Sequence, residues 1–500
     1  MVLYNSLAHS RQQIVMIRVS IAEDSQVMVM DEQTSSPIPS QLTPLWPRQQ
    51  RDALSEDVFS LYFEAKLPPL GTASYRIIAQ SNVKQPAVMA SSTIYSPVGF
   101  DPISSAMMKR MNIQRSSTSC PEVVLENEHI SLQFAKDHGM LSSLTTKSTR
   151  LTTEVEEDIL MYTGSRSGAY LFHPDGAPRS IVTEGQNNVV VVVVKGSIVS
   201  ELYSYLNSVT RLARIYHTNS FEGRAVEMAH MHDITSLSNV ELVVRYSTSI
   251  RNERVFFTDL NGLQMARRRT NELMPMEGNF FPMPNRAFMQ ADRQRFSVHT
   301  RQALGISSLV SGRFEILIDR RPLNQDDRGL PIGTPDTKPH HISLFLSLET
   351  LSTQSFATDE LIANPSLFSH HLGARHNYPI YKLHSFNAPA LKIPPAFSFL
   401  AAPFPCHMHL VNHKIWSQKQ DNSVVLLHNQ GFDCRFTDQI CSPELQSPVK
   451  DWQNFFQHAT ISRVVQSSIS LLHDETEVTA NPIDVPPMEI HAFKLRIVSK

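Results

Sequence analysis

Val123–Phe134 reads VVLENEHISLQF, with apolar and polar residues alternating, and the quartet KDHG at 136–139 then turns the chain into Met140–Leu144. A period of two puts one face of a strand in a core and the other in water. Outward from this pair the pattern recurs in both directions. Before it come Gln13–Ser20, Val27–Met30 and Phe59–Leu67; after it come Val209–His217, Val226–Ile234, Val240–Tyr246, Val255–Thr258, Arg295–Thr300, Phe314–Ile318 and Ile342–Leu348. The six valines of Val189–Val194 read as a strand buried on both faces. No stretch beyond about a dozen residues keeps a helical period, and Thr358–Phe368 is the short helix the pattern favours most. Strands at this spacing, punctuated by 31 prolines, predict an all-β chain of several β-sandwiches, a large central supersandwich flanked by smaller β domains.

Five hundred residues exceed one ordinary core. Composition turns loop-like near Gln85–Thr118 and again near His370–Pro395. The expected division is therefore a small β domain at 1–85, a linker at 86–118, a central supersandwich at 119–370 and a C-terminal sandwich at 371–500. Hydrophobic residues at 41% and charged residues at 18% are globular proportions. Lys plus Arg (45) against Asp plus Glu (47) leaves no surplus for a polyanion, so no nucleic-acid partner is expected. The longest apolar run is far too short to cross a bilayer, and no membrane segment is expected. Met1 leads into MVLYNSLAHSRQQIVMIRVS without the basic and apolar regions of a signal peptide. A start inside a strand pattern reads as truncation.

Few constellations suggest chemistry. In AHMHDI a strand puts His230 and His232 on one face, and Asp233 adjoins them. The pair suits a metal seed lacking its third ligand, but a polar strand face is the simpler account. Cys406, His407, His409 and His413 in CHMHLVNH pose the same question, with Cys406 on the opposite face from His407 and His409. Arg267–Arg269 read as a solvated turn. Of the four cysteines, Cys434 and Cys441 in FDCRFTDQIC are spaced to close a short loop in an oxidising compartment; the alternative is four reduced thiols. Phosphate-binding, hydrolase-elbow and metalloprotease motifs are missing.

A longer stretch carries more. Val255–Pro284, VFFTDLNGLQMARRRTNELMPMEGNFFPMP, resembles the core of glycoside hydrolase family 38 α-mannosidases: an aromatic strand, TDxNG, an arginine run, then an N-aromatic-aromatic-P motif. Leu304–Gly333, LGISSLVSGRFEILIDRRPLNQDDRGLPIG, resembles the same family's signature ending in DRGL. Ser167–Phe172 (SGAYLF), Cys406–Asn412 (CHMHLVN) and Gly431–Phe436 (GFDCRF) agree, and the form TDLNG is similar to the Golgi branch.

The resemblance runs in family order along nearly the whole chain, but it covers only the β portion of the family's enzyme. It implies a mannosyl-oligosaccharide 1,3-1,6-α-mannosidase, a retaining hydrolase trimming mannose-containing N-glycans in the Golgi lumen. The zinc cofactor, its HxD motif and both catalytic aspartates then belong to an α/β catalytic domain and are not matched here. No cofactor is expected in this chain, no catalytic residue is assigned to it, and the chain alone is expected to be inactive.

By the same resemblance Tyr170 meets mannose through its hydroxyl and Arg328 lines the pocket through its backbone carbonyl. The Arg328 side chain, with Asp326 and Asp327, is expected to fix the loop through charge-assisted hydrogen bonds, and Asp327 stands where the family usually has asparagine. Asp259 and Asn261 read as turn formers. The central sandwich is expected to be mutarotase-like. The rival reading is a stand-alone, non-catalytic carbohydrate-binding or scaffold protein, which predicts a polar face where a catalytic domain would otherwise pack.

Overall fold

The valine strand, Val190–Lys195, is shared between two cores. Val191 and Val193 point into the largest one, while Val190, Val192 and Val194 point into a second. Burial on both faces, as expected from the sequence, is thus the junction between two sandwiches. The computed structural model describes residues 1–49, 52–97, 104–185, 189–335, 337–355, 363–385, 393–416, 422–436, 452, 455–478 and 485–499.

The largest core lies between a ten-stranded and a nine-stranded sheet. The ten-stranded sheet runs Ile113–Ser116, Ser91–Tyr95, Val190–Lys195, Val199–Leu206, Val209–Tyr216, Val226–His232, His340–Ser355, Arg286–Thr300, Val255–Leu260, Gln264–Arg269. Its partner runs Val123–Glu126, Ile130–Phe134, Leu141–Thr146, Leu151–Thr163, Val240–Thr248, Arg313–Arg321, Leu304–Ser307, Phe281–Met283, with Arg179–Ser180 at the side. This is the supersandwich expected from the sequence. The alternating stretch VVLENEHISLQF is a hairpin rather than one strand, because Asn127 Oδ1 accepts the N–H groups of His129 and Ile130, each at 2.8 Å. The KDHG turn forms, with Asp137 and Gly139 in the left-handed region (φ 68° and 67°).

The second core packs a four-stranded and a six-stranded sheet from the N-terminal part against the outer face of the ten-stranded sheet. Within 86–118, expected as a linker, three described strands are built into these sheets. Val88–Met89 pairs with Ser40–Pro44, and Ser91–Tyr95 pairs with both Val190–Lys195 and Ile113–Ser116. From beyond residue 371, Tyr381–Leu383 and Ala396–Ser398 return to pair with Val2–Asn5 and Gly71–Gln80. A five-stranded sheet follows, with an aromatic core of Phe404, Trp452, Phe455, Phe456 and Phe493.

The helix lies at Leu367–Asn377, later than expected; 358–362 fall outside the described residues, and 363–366 are not helical. Ser366 starts it by accepting the N–H of Ser369 at 3.0 Å. Arg11 donates to the carbonyls of Arg375 (2.9 Å) and Tyr378 (2.6 Å) at its other end. Polar and apolar residues are buried alike, from Ser369, His370 and His371 to Leu372, so the sequence carries no apolar stripe.

Arg267–Arg269 is not a turn but part of an edge strand. Arg268 covers the Phe281 ring at 5.1 Å and donates to Thr258 Oγ1 at 3.0 Å. Asn261 and Gly262 make the preceding turn (φ 53° and 76°), as expected for TDLNG. Asp259 goes further: its carboxylate accepts the N–H groups of Gly262, Asn285 and Arg286 and so fixes where the long Arg286–Thr300 strand begins.

Candidate functional site

Two loops meet at the end of the nine-stranded sheet. The first follows Leu151–Thr163 and carries SGAYLF; the second follows Arg313–Arg321 and carries DDRGL. Asp326 joins them. Its Oδ2 accepts the N–H groups of Tyr170 at 2.7 Å and Leu171 at 2.9 Å, and its Oδ1 accepts that of Arg328 at 3.2 Å. A Cβ on Gly168 would stand 2.5 Å from Asp326 Cβ, so only glycine lets the loops close this far. Asn324 Nδ2 donates to the Ser165 carbonyl at 2.7 Å and adds a second tie.

Arg320 supports the first loop from below. It donates to the carbonyls of Leu171 (2.7 Å) and Gly168 (3.3 Å) and to the buried Glu241 carboxylate (3.2 Å). Burial pushes the Glu241 carboxyl up, and Arg320 offsets only part of that. The outward aim of Arg320 comes from a register shift. Leu242 pairs with Asp319 and Val243 with Leu317, which leaves Ile318 as an extra residue. Such a bulge reverses which face the following residues occupy. Without it, Arg320 would face the core and Asp319 the solvent.

Tyr170, Asp327 and Arg328 therefore lie close together on one exposed rim. Tyr170 is 61% exposed, so its phenol is presented outward rather than packed in a sandwich. Asp327 sits in the left-handed region (φ 55°), which places Arg328 on the outer bend. A phenol, a carboxylate and a guanidinium on one rim match a ligand rich in hydroxyl groups. The rim continues into exposed apolar side chains on the same and neighbouring loops: Leu171, Leu323, Leu330, Ile332 (67% exposed), Met274 and Leu273 (95%). The 271–279 loop is held against it by His173 Nδ1 and Glu277 at 2.7 Å and by the edge-on rings of Phe172 and Phe280 at 5.2 Å. A cavity of about 220 Å³ walled by Glu222, Glu227, Arg375 and His376 lies elsewhere and includes none of the three rim residues.

His173-Pro174-Asp175 has HxD spacing, but its side chains are committed elsewhere: His173 to Glu277, and Asp175 to the N–H and hydroxyl of Ser165. The AHMHDI trio also separates. His230 and His232 do share the inner face, but His230 lies against Glu157 (3.5 Å) and His232 against Asp319 (3.0 Å). Asp233 accepts the N–H and hydroxyl of Thr235. Neither carboxylate partner was visible in the sequence, because both come from the facing sheet.

At CHMHLVNH, Cys406 is disulfide-bonded and so is no ligand. Cys434, expected to pair with Cys441, is a free exposed thiol; Cys441 lies outside the described residues.

Residues 125–328 match the model of the glycosyl hydrolases family 38 C-terminal domain. Alpha-mannosidase 2 of Arabidopsis thaliana is 32% identical over 544 aligned positions, covering 99% of this chain and 45% of the relative. Alpha-mannosidase 2 of Homo sapiens is 29% identical, covering 99% and 43%. The chain thus spans a little under half the length of the curated relatives it matches. A crystal structure of a glycosyl hydrolase family 38 protein from Enterococcus faecalis shares the fold, with a TM-score of 0.60 at 12% identity over 99% of this chain and 57% of that one. With residues 125–328 matching the family's C-terminal domain and 99% of its length aligned to alpha-mannosidase 2, the chain belongs to glycosyl hydrolase family 38.

Proposed function

We propose that the chain is the C-terminal region of a mannosyl-oligosaccharide 1,3-1,6-α-mannosidase and that it walls the substrate cleft of an α/β catalytic domain. The carrying observation is the Asp326 clamp, which presents Tyr170, Asp327 and Arg328 on one rim. The Tyr170 hydroxyl would meet a sugar hydroxyl while the two charged groups bound the opening. Mannose-containing N-glycans in the Golgi lumen fit this reading, which rests on the family relatives named above.

The chemistry itself belongs to the catalytic domain. Retaining glycosidases need a nucleophile and an acid/base carboxyl about 5 Å apart. Here Asp326 is spent on backbone N–H groups, and Asp327 points outward without a second carboxyl assigned to it. The contribution of this region is orientation, which acts on reactivity by holding the reacting bond in place. The exposed Leu273, Met274, Leu330 and Ile332 favour a packed partner domain over a stand-alone glycan-binding module, whose corresponding face should be polar.

The test is to join the chain to a family 38 catalytic half and follow mannoside hydrolysis. The chain alone should release no mannose and the joined protein should be active, with Tyr170→Phe lowering kcat/KM on a branched oligomannose at unchanged melting temperature. Hydrolysis by the chain alone, or a Tyr170→Phe enzyme with unaltered kinetics, would refute the reading.

A further inference from the structure

His232, Asp319 and His340 converge at one mouth of the supersandwich, in the only such grouping among the described residues: one ligand atom from each lies within 4.8 Å of the others. His232 ends the strand Val226–His232, and His340 stands directly opposite it at the start of His340–Ser355. Their rings are 5.9 Å apart and inclined by 28°. Asp319 arrives from the other sheet. The bulge at Ile318 turns it inward, where it shares a face with its paired neighbour Leu242 in the core.

The decisive feature is what His232 and Asp319 fail to do. His232 Nε2 and Asp319 Oδ2 lie 3.0 Å apart with the histidine side chain wholly buried and the carboxylate 6% exposed, yet neither atom has a hydrogen-bond partner. Nδ1 of His232 has none either. Orphaned polar atoms in a core cost free energy, so such groups are rare without a reason. Two ligands of one cation stand in this relation, because their lone pairs meet at the ion rather than at each other. Around tetrahedral zinc, with bonds of about 2.0–2.1 Å, neighbouring ligand atoms are separated by about 3.3 Å. His232 and Asp319 are already near that separation. His340 is exposed at the mouth, and a side-chain rotation closes the remaining gap.

We propose that His232, Asp319 and His340 bind a divalent cation of the zinc type, with water as the fourth ligand, and thereby clip the ten-stranded sheet to the nine-stranded one. Two imidazoles and one carboxylate are the borderline donor set that favours zinc or cobalt over calcium or magnesium. One acidic ligand leaves the site singly negative before binding and singly positive after it. The exposure of His340 supplies the entry path that the buried pair needs. None of its ligands belongs to the rim or to the His173-Pro174-Asp175 segment. The proposal does not depend on the functional reading above.

Titration of the metal-free 500-residue chain with Zn²⁺ by calorimetry, and with Co²⁺ by visible absorption, tests the proposal. The expected result is one equivalent bound, with the intense visible bands of tetrahedral cobalt and a melting temperature that rises with zinc and falls back with chelator. His340→Ala alters an exposed side chain and should leave the metal-free melting temperature unchanged while weakening zinc binding at least tenfold. Asp319→Asn should weaken it at least as much. The absence of saturable binding overturns the proposal, as does zinc affinity undiminished in either variant.

Discussion

Asp326 holds Tyr170 by its backbone, not by its side chain: the carboxylate accepts the Tyr170 N–H at 2.7 Å and leaves the phenol exposed. Position and chemistry are therefore separable at this rim. Asp326→Ala should loosen the 168–171 loop without unfolding the sheets beneath it. Faster amide exchange confined to Tyr170, Leu171 and Arg328 is the expected signature, and uniform exchange across the nine-stranded sheet would contradict it.

The same clamp should fail in acid. Partial desolvation pushes the Asp326 carboxyl up, but the N–H groups of Leu171, Tyr170 and Arg328 together hold it below the usual carboxylate value. A carboxyl depressed in the folded state keeps its tether above the ordinary value and loses it as pH falls through the lower one. Loop exchange rates, corrected for intrinsic chemistry, should stay constant from neutrality down to about pH 4 and rise only below it.

Arg211 and Glu157 meet inside the supersandwich, each wholly buried and each from a different sheet, with Arg211 Nε 2.9 Å from Glu157 Oε2. Burial opposes ionisation of Glu157, but Arg211 and the adjacent His230 ring bring its carboxyl down to about 2. Glu157→Leu strands a buried guanidinium and should cost about 3–5 kcal/mol in denaturant unfolding. Adding Arg211→Met should restore much of that loss, since an apolar pair needs no partner. A double variant as unstable as the single one would show that the charges themselves hold the sheets.

Several histidines stay neutral because they are buried. His376 is lowered to about 4, and His299, His370 and His371 lie well below their usual value, in each case chiefly through burial. The unfolded chain takes up these protons near pH 6.5 and the folded chain does not. Stability is then complete above about pH 6.5 and declines as pH falls toward about 4, by up to about 1.4 kcal/mol per pH unit for each such histidine. The urea midpoint should drop between about pH 7.5 and about pH 5; an unchanged midpoint would mean that these rings are solvated.

Thiol reactivity should discriminate between the two free cysteines among the described residues. Cys434 is exposed, whereas Cys120 is buried and its thiol is pushed up to about 12, first by burial and then by Asp137. Maleimide applied to the native chain near neutrality should mark Cys434 within minutes and Cys120 only after denaturation. Equal labelling of both would contradict the burial of Cys120.

Local pattern was enough for the fold class. Alternation marked the strands, and a run of six valines with no polar side declared a strand covered twice, as it is by the two cores that share it. TDLNG and KDHG announced their turns because left-handed backbone selects Asn, Asp and Gly. The rim residues Tyr170, Asp327 and Arg328 were legible only through family motifs, and nothing in the sequence indicated that Asp326 brings residues some 156 positions apart into contact.

Tertiary structure decided whatever depends on a partner distant in sequence. Residues 86–118 looked like a linker because their strands are short, and their pairing with Val190–Lys195 and Ser40–Pro44 leaves no local trace. The buried helix Leu367–Asn377 has no apolar stripe because it is enclosed on every side. One extra residue, Ile318, sends Asp319 into the core toward His232 and Arg320 out to the site loop. A sequence shows which residues alternate, but the face each one takes is set by register with the neighbouring strand, which exists only once the sheet has formed.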